Sequence, residues 1–594
     1  MNLRAILRRY SAACALLAVL AAAVAAPYLI PENPDSAVFR SGTLSALLLA
    51  ASFVPVRRAY AKASGRALAY GFAFAFIFAL CLGLGSELTV YDQLLPGMGS
   101  LIRRLAVPVL ATPPLGALAC ALFSCEVRAH ARPRRGLPFI AYFLLFALCY
   151  GAVLLALFPG VISYDFMHEI RQFQSGVYEA AHPVFHTLFL GGLYALGEAL
   201  FGTMTAGAAL YSAVQLLLLA AMYAGTMVFL QRRVPSRIAI AALTACFALL
   251  PFHGVMAVST AKDPLFAGLC VLLCVQLWAI AETPEAFLES RARTALFALT
   301  CLGLALLRHN GVFAFAPACL AALLLCRGMR RRAALLCAAT LALCAVVPSA
   351  LETAVGATSI PSSELMSVPC QQLMRTASRA DLSEEEYAEV SAWFFGHIDR
   401  YRPHCADPAK GGNFDFARYQ ADPSAFWHTI FRYAAAYPRV FFEAFLENAA
   451  GIWNPGDTSH AHALSTEEYD FIYMNTVYIF AEDEYDIAPR SLLPALHRLL
   501  YGSTHHARHE RFPFIAQLFC PAIYTFALLL TTLLLHYKRR GALALCTLPL
   551  WGIFLSLLFA AGIFVRYAYP LMAAVPVLLA LAFSIKAREE REVA

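Results

Sequence analysis

Four charged residues interrupt apolar sequence where an unpaired charge is costly: Asp165 in PGVISYD, Asp263 in STAKDPLF, Arg308 in LRHNG and Arg566 in RYAYPL. Two carboxylates meeting on one face can bind a divalent cation or divide general-base and orienting roles. Arginines beside them clamp a phosphate or pyrophosphate bidentately, which a lysine does less specifically. Lys262 precedes Asp263, Glu169 follows Asp165 at i,i+4, and AHPVFHTLF supplies His182 and His186. Each feature also has a plainer reading. Asp263-Pro264 is the signature of a helix N-cap, and Asn310-Gly311 is that of a tight turn. Glu169 reads as a solvated helix neighbour of Asp165, and Arg566-Tyr567 as an interface anchor.

The elements that must position these residues are membrane spans. Of 594 residues 60% are hydrophobic and only 14% charged, with a mean hydropathy of +0.64, far from a soluble domain and right for an all-α polytopic membrane protein. The net charge of +7 falls in short clusters between apolar runs, where it reports topology rather than nucleic-acid binding. A span takes about 20 apolar residues. The expected spans are 11–30, 41–56, 67–86, 105–125, 137–158, 207–230, 239–258, 264–281, 292–307, 311–326, 333–350, 514–536, 541–561 and 567–585. The first is expected to be retained, because Pro27 follows Ala26 at the most obvious signal-cleavage position.

Basic clusters around Arg8, Arg58, Arg132, Arg233, Arg331, Arg539 and Arg588 all fall on one side, the cytoplasmic one. This alternation holds only if Pro183–Gly202 lies at the outer interface instead of crossing, which suits its His186 and Glu198. Asp165, Asp263, Arg308 and Arg566 then share the outer side. The expected organisation is an N-terminal transmembrane module (1–136), a transmembrane core (137–350) with an outer loop (159–206), a mainly helical extracytoplasmic domain (351–512) and C-terminal spans with a cytoplasmic tail (513–594). In the outer domain Ser383 and Glu386 form a capping box, and Pro438 divides a long helical pattern. Cys370 and Cys405 are left open between a disulfide and two free thiols. His460, His462, His505, His506 and His509 lack zinc-site spacing and read as polar turns. QQLMRTA (371–377) and IWNP (452–455) suit either an acceptor groove or domain packing.

In their order, PGVISYD, AHPVFHTLF, STAKDPLF, LRHNG and RYAYPL resemble a group of uncharacterised bacterial polytopic proteins, which in turn are similar to the GT-C superfamily of membrane glycosyltransferases. That superfamily includes protein O-mannosyltransferases and aminoarabinose transferases. The resemblance covers about residues 137–585 and implies a GT-C-like transmembrane core in the bacterial cytoplasmic membrane. It implies a polyprenyl-phosphate sugar as donor, an envelope glycan, lipid or protein as acceptor, and an extracytoplasmic active site bordered by membrane lipids. By this likeness Asp165 is the acidic residue of the first outer loop that serves as catalytic base, deprotonating the acceptor hydroxyl, and Asp263 is the second acidic residue, holding a divalent metal or orienting the acceptor. Arg308, Arg566 and Lys262 meet the phosphate. HPVFH resembles the HPP-type motif of protein O-mannosyltransferases, with Val184 where that motif has a second proline. Two other classes fit the composition: a transporter or flippase of lipid-linked glycans, whose polar groups should sit mid-membrane in broken helices, and a non-catalytic envelope assembly protein, which would tolerate a neutral residue at Asp165.

Overall fold

The computed structural model describes residues 3–29, 42–125, 136–359, 366–410, 412–456, 487, 489–504 and 515–587. Among them the only β structure is three isolated bridges; all other regular structure is helical, as expected where a backbone in lipid must satisfy its own N–H and C=O groups. The N-terminal helices are α1 (Ser11–Leu29), α2 (Gly42–Lys62), α3 (Gly65–Tyr91) and α4 (Met98–Phe123). The backbones of α3 and α4 approach closely, since a Cβ added to Gly71 would stand 2.6 Å from the Gly116 carbonyl.

The core follows with α5 (Phe139–Ala156), α6 (Tyr164–Ser175), α7 (Val184–Phe201) and α8 (Met204–Gln231). Gly176 and Gly202 end α6 and α7 at φ of 69° and 74°, and the Thr203 hydroxyl caps α8 by accepting from Ala206 N–H. Pro251 separates α9 (Arg237–Leu249) from α10 (Pro251–Ala257), and the pair is bent by 52°. Next come α11 (Asp263–Glu282), α12 (Arg291–Leu307), α13 (Val312–Leu325) and α14 (Arg330–Ala354), with a 3₁₀ turn at His309–Gly311 between α12 and α13.

The domain expected on the outer side, called the outer domain from this point, contributes α15 (Ser367–Arg379), α16 (Glu384–Ser391), α17 (Pro423–Ala436) and α18 (Pro438–Asn448). The last helices are α19 (Pro521–Tyr537), α20 (Leu548–Leu557) and α21 (Val565–Ser584). At the centre α11 packs against α8, α12, α13 and α21, while α21 also packs on α19.

Eight helices among the described residues have the length and apolarity to cross a membrane, or nine if α9 and α10 form one bent span. The chain is a multi-pass helical membrane protein. Where described, the stretches expected to span are mainly helical, but the expected set of 14 crossings divides, because Ser11–Ala26, His309–Leu325, Pro521–Tyr537 and Gly541–Leu557 are shorter apolar helices. Conversely α7, expected at the interface, has span-like composition. Its contacts bear on its direction. His186 near its start bonds Tyr211, and Gly197 near its end lies against Ala206 and Gly207, so both ends stay beside the first turns of α8. A crossing helix would instead run down to the Gln231 end.

The two ends of the bundle differ chemically. At one, Arg66 donates to His536 O, Lys538 to the carbonyls of Ala582, Phe583 and Ile585, and Arg233 pairs with Glu282. The other carries Asp165, Asp263 and Arg566. Of the other basic clusters, those at Arg128–Arg135 and Arg588 lie outside the described residues, as do His460, His462, His505, His506 and His509.

The outer domain has its own core around Trp393, Phe414, Phe426 and Tyr433. Its capping box is present, with Ser383 and Glu386 bonded reciprocally, and Pro438 begins α18 with a single residue, Tyr437, between it and the end of α17. QQLMRTA lies in α15 and IWNP follows α18, and both are spent on packing: Gln371 donates to Pro403 O, Gln372 to Phe441 O and Trp453 to Leu446 O. Cys370 and Cys405 are free thiols. Arg375 is fully buried, touching Glu447, 3.3 Å from Glu443 and from Asp92, and 3.0 Å from Tyr401. Asp92 follows α3, and Leu94 N–H donates to Glu443, so the N-terminal module is tied to the outer domain. Burial, opposed by Arg375 and reinforced by Asp92, pushes the Glu447 carboxyl up to about 9.

Candidate functional site

Two loops build the floor of the site. After α5 the chain turns at Gly160, whose φ is 125°; a Cβ there would meet Ser212 Oγ at 2.2 Å and Val258 O at 2.7 Å, so only glycine fits. The turn allows a short parallel bridge, with Val161 N–H donating to Val258 O and Thr260 N–H to Val161 O. Ser163 N–H then donates to Thr260 Oγ1 at 2.8 Å. This stitch sets Asp165, in the first turn of α6, beside Lys262 and Asp263 at the start of α11.

The charges converge as follows. Asp165 Oδ2 accepts from Lys262 Nζ at 2.8 Å and from Arg566 Nη1 at 3.0 Å. Arg566 also lies 3.6 Å from Asp263, which pairs directly with Arg308. Both guanidinium groups stand over the Tyr567 ring, at 4.7 Å and 4.6 Å from its centroid. Asp165, Asp263, Arg308 and Arg566, 401 residues apart at the extremes, thus form one cluster. Arg566 is largely buried in it and not held at the interface as a solvated anchor.

Asp263 is not an N-cap. Lys262 occupies that position, no side chain caps the helix, and the Asp263 carboxylate is turned to the arginines. Asn310 does sit in a tight 3₁₀ turn, where its Oδ1 accepts from Arg308 Nε at 3.1 Å and helps aim that guanidinium.

Glu169 is the largest departure from expectation. It is fully buried, not solvated, and its Oε2 lies 2.5 Å from His186 Nδ1 while Oε1 is 3.6 Å from Lys262 and 3.8 Å from His182. The i,i+4 spacing does put it on the same face as Asp165, but α7 covers that face. His186 Nε2 contacts Tyr211 OH at 2.8 Å, and Tyr211 donates to Gln215 Oε1. The Gln215 amide in turn donates to Ala257 O and Ser259 O, holding the loop before Lys262. His182 lies 3.2 Å from Lys262 Nζ. Tyr211 and Gln215 were not singled out from sequence; their signal is an i,i+4 polar pair, with Ser212 between, on an otherwise apolar helix.

Burial alone would raise the Asp165 carboxyl, but Lys262 and Arg566 prevail and hold it well below the usual carboxylate range. Burial and Lys262 lower His182, which favours its neutral form. The cluster balances three carboxylates with Lys262, Arg308 and Arg566, apart from the histidines. That arrangement does not fit a divalent cation on Asp165 and Asp263, because ammonium and guanidinium groups already occupy the carboxylate faces where a metal would bind; among the described residues no group of three or more His, Cys, Asp or Glu side chains has the makings of a metal site.

Residues 174–594 match the profile of a family of unknown function, DUF6020, and the chain belongs to that family. Comparison with curated proteins and with solved structures returned no match. Asp165 precedes the matched residues, whereas Lys262, Asp263, Arg308 and Arg566 lie within them.

Proposed function

We propose that this DUF6020 member is a GT-C-like inverting glycosyltransferase that moves a sugar from a polyprenyl-phosphate donor to an envelope acceptor on the extracytoplasmic face of a bacterial membrane. The observation that carries the reading is the convergence of Asp165, Lys262, Asp263, Arg308 and Arg566 from four separate segments at one end of the bundle. In this reading the acceptor hydroxyl attacks the anomeric carbon and gives its proton to Asp165. The bond from that carbon to the phosphate oxygen breaks, and the polyprenyl phosphate leaves with the electron pair, its charge met by Lys262, Arg308 and Arg566.

A carboxylate held far below the usual range is a weak base, so the donor has a second task. Its phosphate competes with Asp165 for Lys262 and Arg566, and each cation drawn away raises the basicity of the carboxylate. Asp263 then serves to hold Arg308 and Arg566 in position, with no metal in the scheme. The test is turnover of a polyprenyl-phosphate sugar by purified, reconstituted protein. Asp165→Asn is expected to lower it by about two to four orders of magnitude; near-normal turnover by this variant removes Asp165 from the chemistry.

One observation favours a second reading, a flippase for the same lipid-linked sugars. The bent pair α9–α10 carries buried His253, whose Nδ1 is 2.7 Å from Tyr569 OH, itself 2.9 Å from Tyr223 OH, and polar groups on broken helices are a transporter trait. Liposomes carrying a labelled lipid-linked sugar separate the two, since a flippase relocates the lipid intact and a transferase consumes it.

A further inference from the structure

Away from the charged cluster, the N-terminal helices enclose a cavity of about 430 Å³ between the end of α1 and the facing parts of α3 and α4. It lies toward the Tyr91 end of α3, the end joined to the outer domain through Asp92 and Arg375. Its walls divide by chemistry. Gly83, Val107 and Pro108 supply apolar lining, Arg103, Arg104 and Glu87 charged lining, and Tyr28 also lines the cavity.

Among the described residues the charge is not balanced. Glu87 is buried and grips Arg104 through two bonds, at 2.8 Å and 3.0 Å, and its Oε1 also accepts from Leu95 N–H. Arg103 reaches that same crowded oxygen only at 3.5 Å and otherwise stands 5.8 Å from the Tyr28 ring centroid. Among the described residues one carboxylate therefore answers two guanidinium groups, leaving about one unit of positive charge in a half-apolar cleft, where an anion offsets the desolvation cost. Around Arg103, the side chains of Leu101, Ile102, Leu105 and Val109 are exposed, as is Tyr28, which is the surface a bilayer covers.

We propose that this cavity binds the phosphate headgroup of an anionic lipid from the outer leaflet, with Arg103 as the phosphate contact, Arg104 fixed by Glu87 as its support, and the apolar wall taking the first part of a lipid chain. Free phosphate shares the headgroup chemistry but has nothing to place against Gly83, Val107 and Pro108. The site is independent of the proposed transferase reaction, since none of its residues belongs to the charged cluster.

The test uses the full-length protein in nanodiscs of mixed phosphatidylcholine and phosphatidylglycerol, with lipid retained after extraction into detergent counted by native mass spectrometry. Phosphatidylglycerol is expected to be retained over phosphatidylcholine. Arg103→Ala should lower that retention roughly tenfold, the effect of losing one charge-assisted bond. Gly83→Leu, which fills the cavity without removing charge, should do the same: an added Cβ at Gly83 meets only Leu29, at an ordinary 3.5 Å. Arg58→Ala, in a basic cluster outside the cavity, should leave retention unchanged. Equal retention of the two lipids, or an Arg58→Ala loss matching that of Arg103→Ala, overturns the site. Displacement of phosphatidylglycerol by millimolar inorganic phosphate overturns the lipid assignment.

Discussion

Glu169 Oε2 lies 2.5 Å from His186 Nδ1, and neither side chain reaches solvent. The pair clamps α6 to α7 beneath Asp165, and its far side reaches α8 through Tyr211. Asp165 and Glu169 are thus neighbours on one helix with different duties, the first at the mouth of the cluster and the second in its foundation.

That difference is measurable. Glu169→Gln replaces the fully buried carboxylate that lies against His186 Nδ1 and should destabilise the protein by about 1 to 3 kcal/mol, while Lys262 keeps Asp165 as its partner. Asp165→Asn, at a site that still touches solvent, should cost clearly less while removing turnover. Thermal unfolding in detergent, paired with the turnover assay, checks both; an equal loss of stability for the two variants contradicts the division.

Arg308→Ala and Arg566→Ala should each weaken donor binding by roughly tenfold or more, the loss of a charge-assisted contact. Lysine at either position should restore only part of the affinity, because the planar fork and its stacking on Tyr567 are gone. Equilibrium binding of a labelled polyprenyl-phosphate sugar reads the difference. Normal binding by both alanine variants eliminates the phosphate role.

The Glu447 carboxyl, pushed up to about 9, gives the outer domain a pH dependence of definite sign. The folded state holds a proton that the unfolded chain releases above its ordinary value of about 4.3. This contribution is full below that value and is lost as pH rises through about 9. The melting temperature should therefore fall between pH 5 and 9 by more in the wild type than in Glu447→Gln. Parallel curves would mean that Glu447 ionises normally.

Side-specific labelling tests the path of α7. In a cysteine-free background, Val177→Cys, which is exposed before α7, and Ala199→Cys, near its end, should label from the same side, with Arg237→Cys, beyond α8, labelling from the other. Val177→Cys and Ala199→Cys labelling from opposite sides would make α7 a crossing helix.

What the sequence disclosed, and what it hid, follows from how each residue makes its contacts. Asp165, Asp263, Arg308 and Arg566 stood out because a charge in an apolar run demands a partner, and with few charges available the partners had to be one another. The helical outer domain was legible from local signals, such as the capping box at Ser383 and the break at Pro438. Glu169 was misread because helix spacing says which residues share a face, and only tertiary packing says what covers it. Asp263 was misjudged similarly, since a local cap rule competes with a charge arriving from the far end of the chain. Arg375 gave no warning, its partner Asp92 being 283 residues away. How many of the apolar runs cross was not legible from composition, because four of them fold as helices of 10–17 residues, shorter than the roughly 20 residues of a full span.

The grip of Arg375 on Asp92 bears on where this protein can be cut. The family profile begins at residue 174, which invites treating everything earlier as a detachable appendage. Yet the most deeply buried guanidinium of the outer domain takes a carboxylate and a backbone carbonyl from residue 92, and the next residues lend an amide to Glu443. A fragment begun at the family boundary would carry an open socket on its surface as well as lacking Asp165. The chain before residue 174 is thus bonded to the part that matches the family, so the smallest unit expected to fold whole extends beyond the unit that family membership defines.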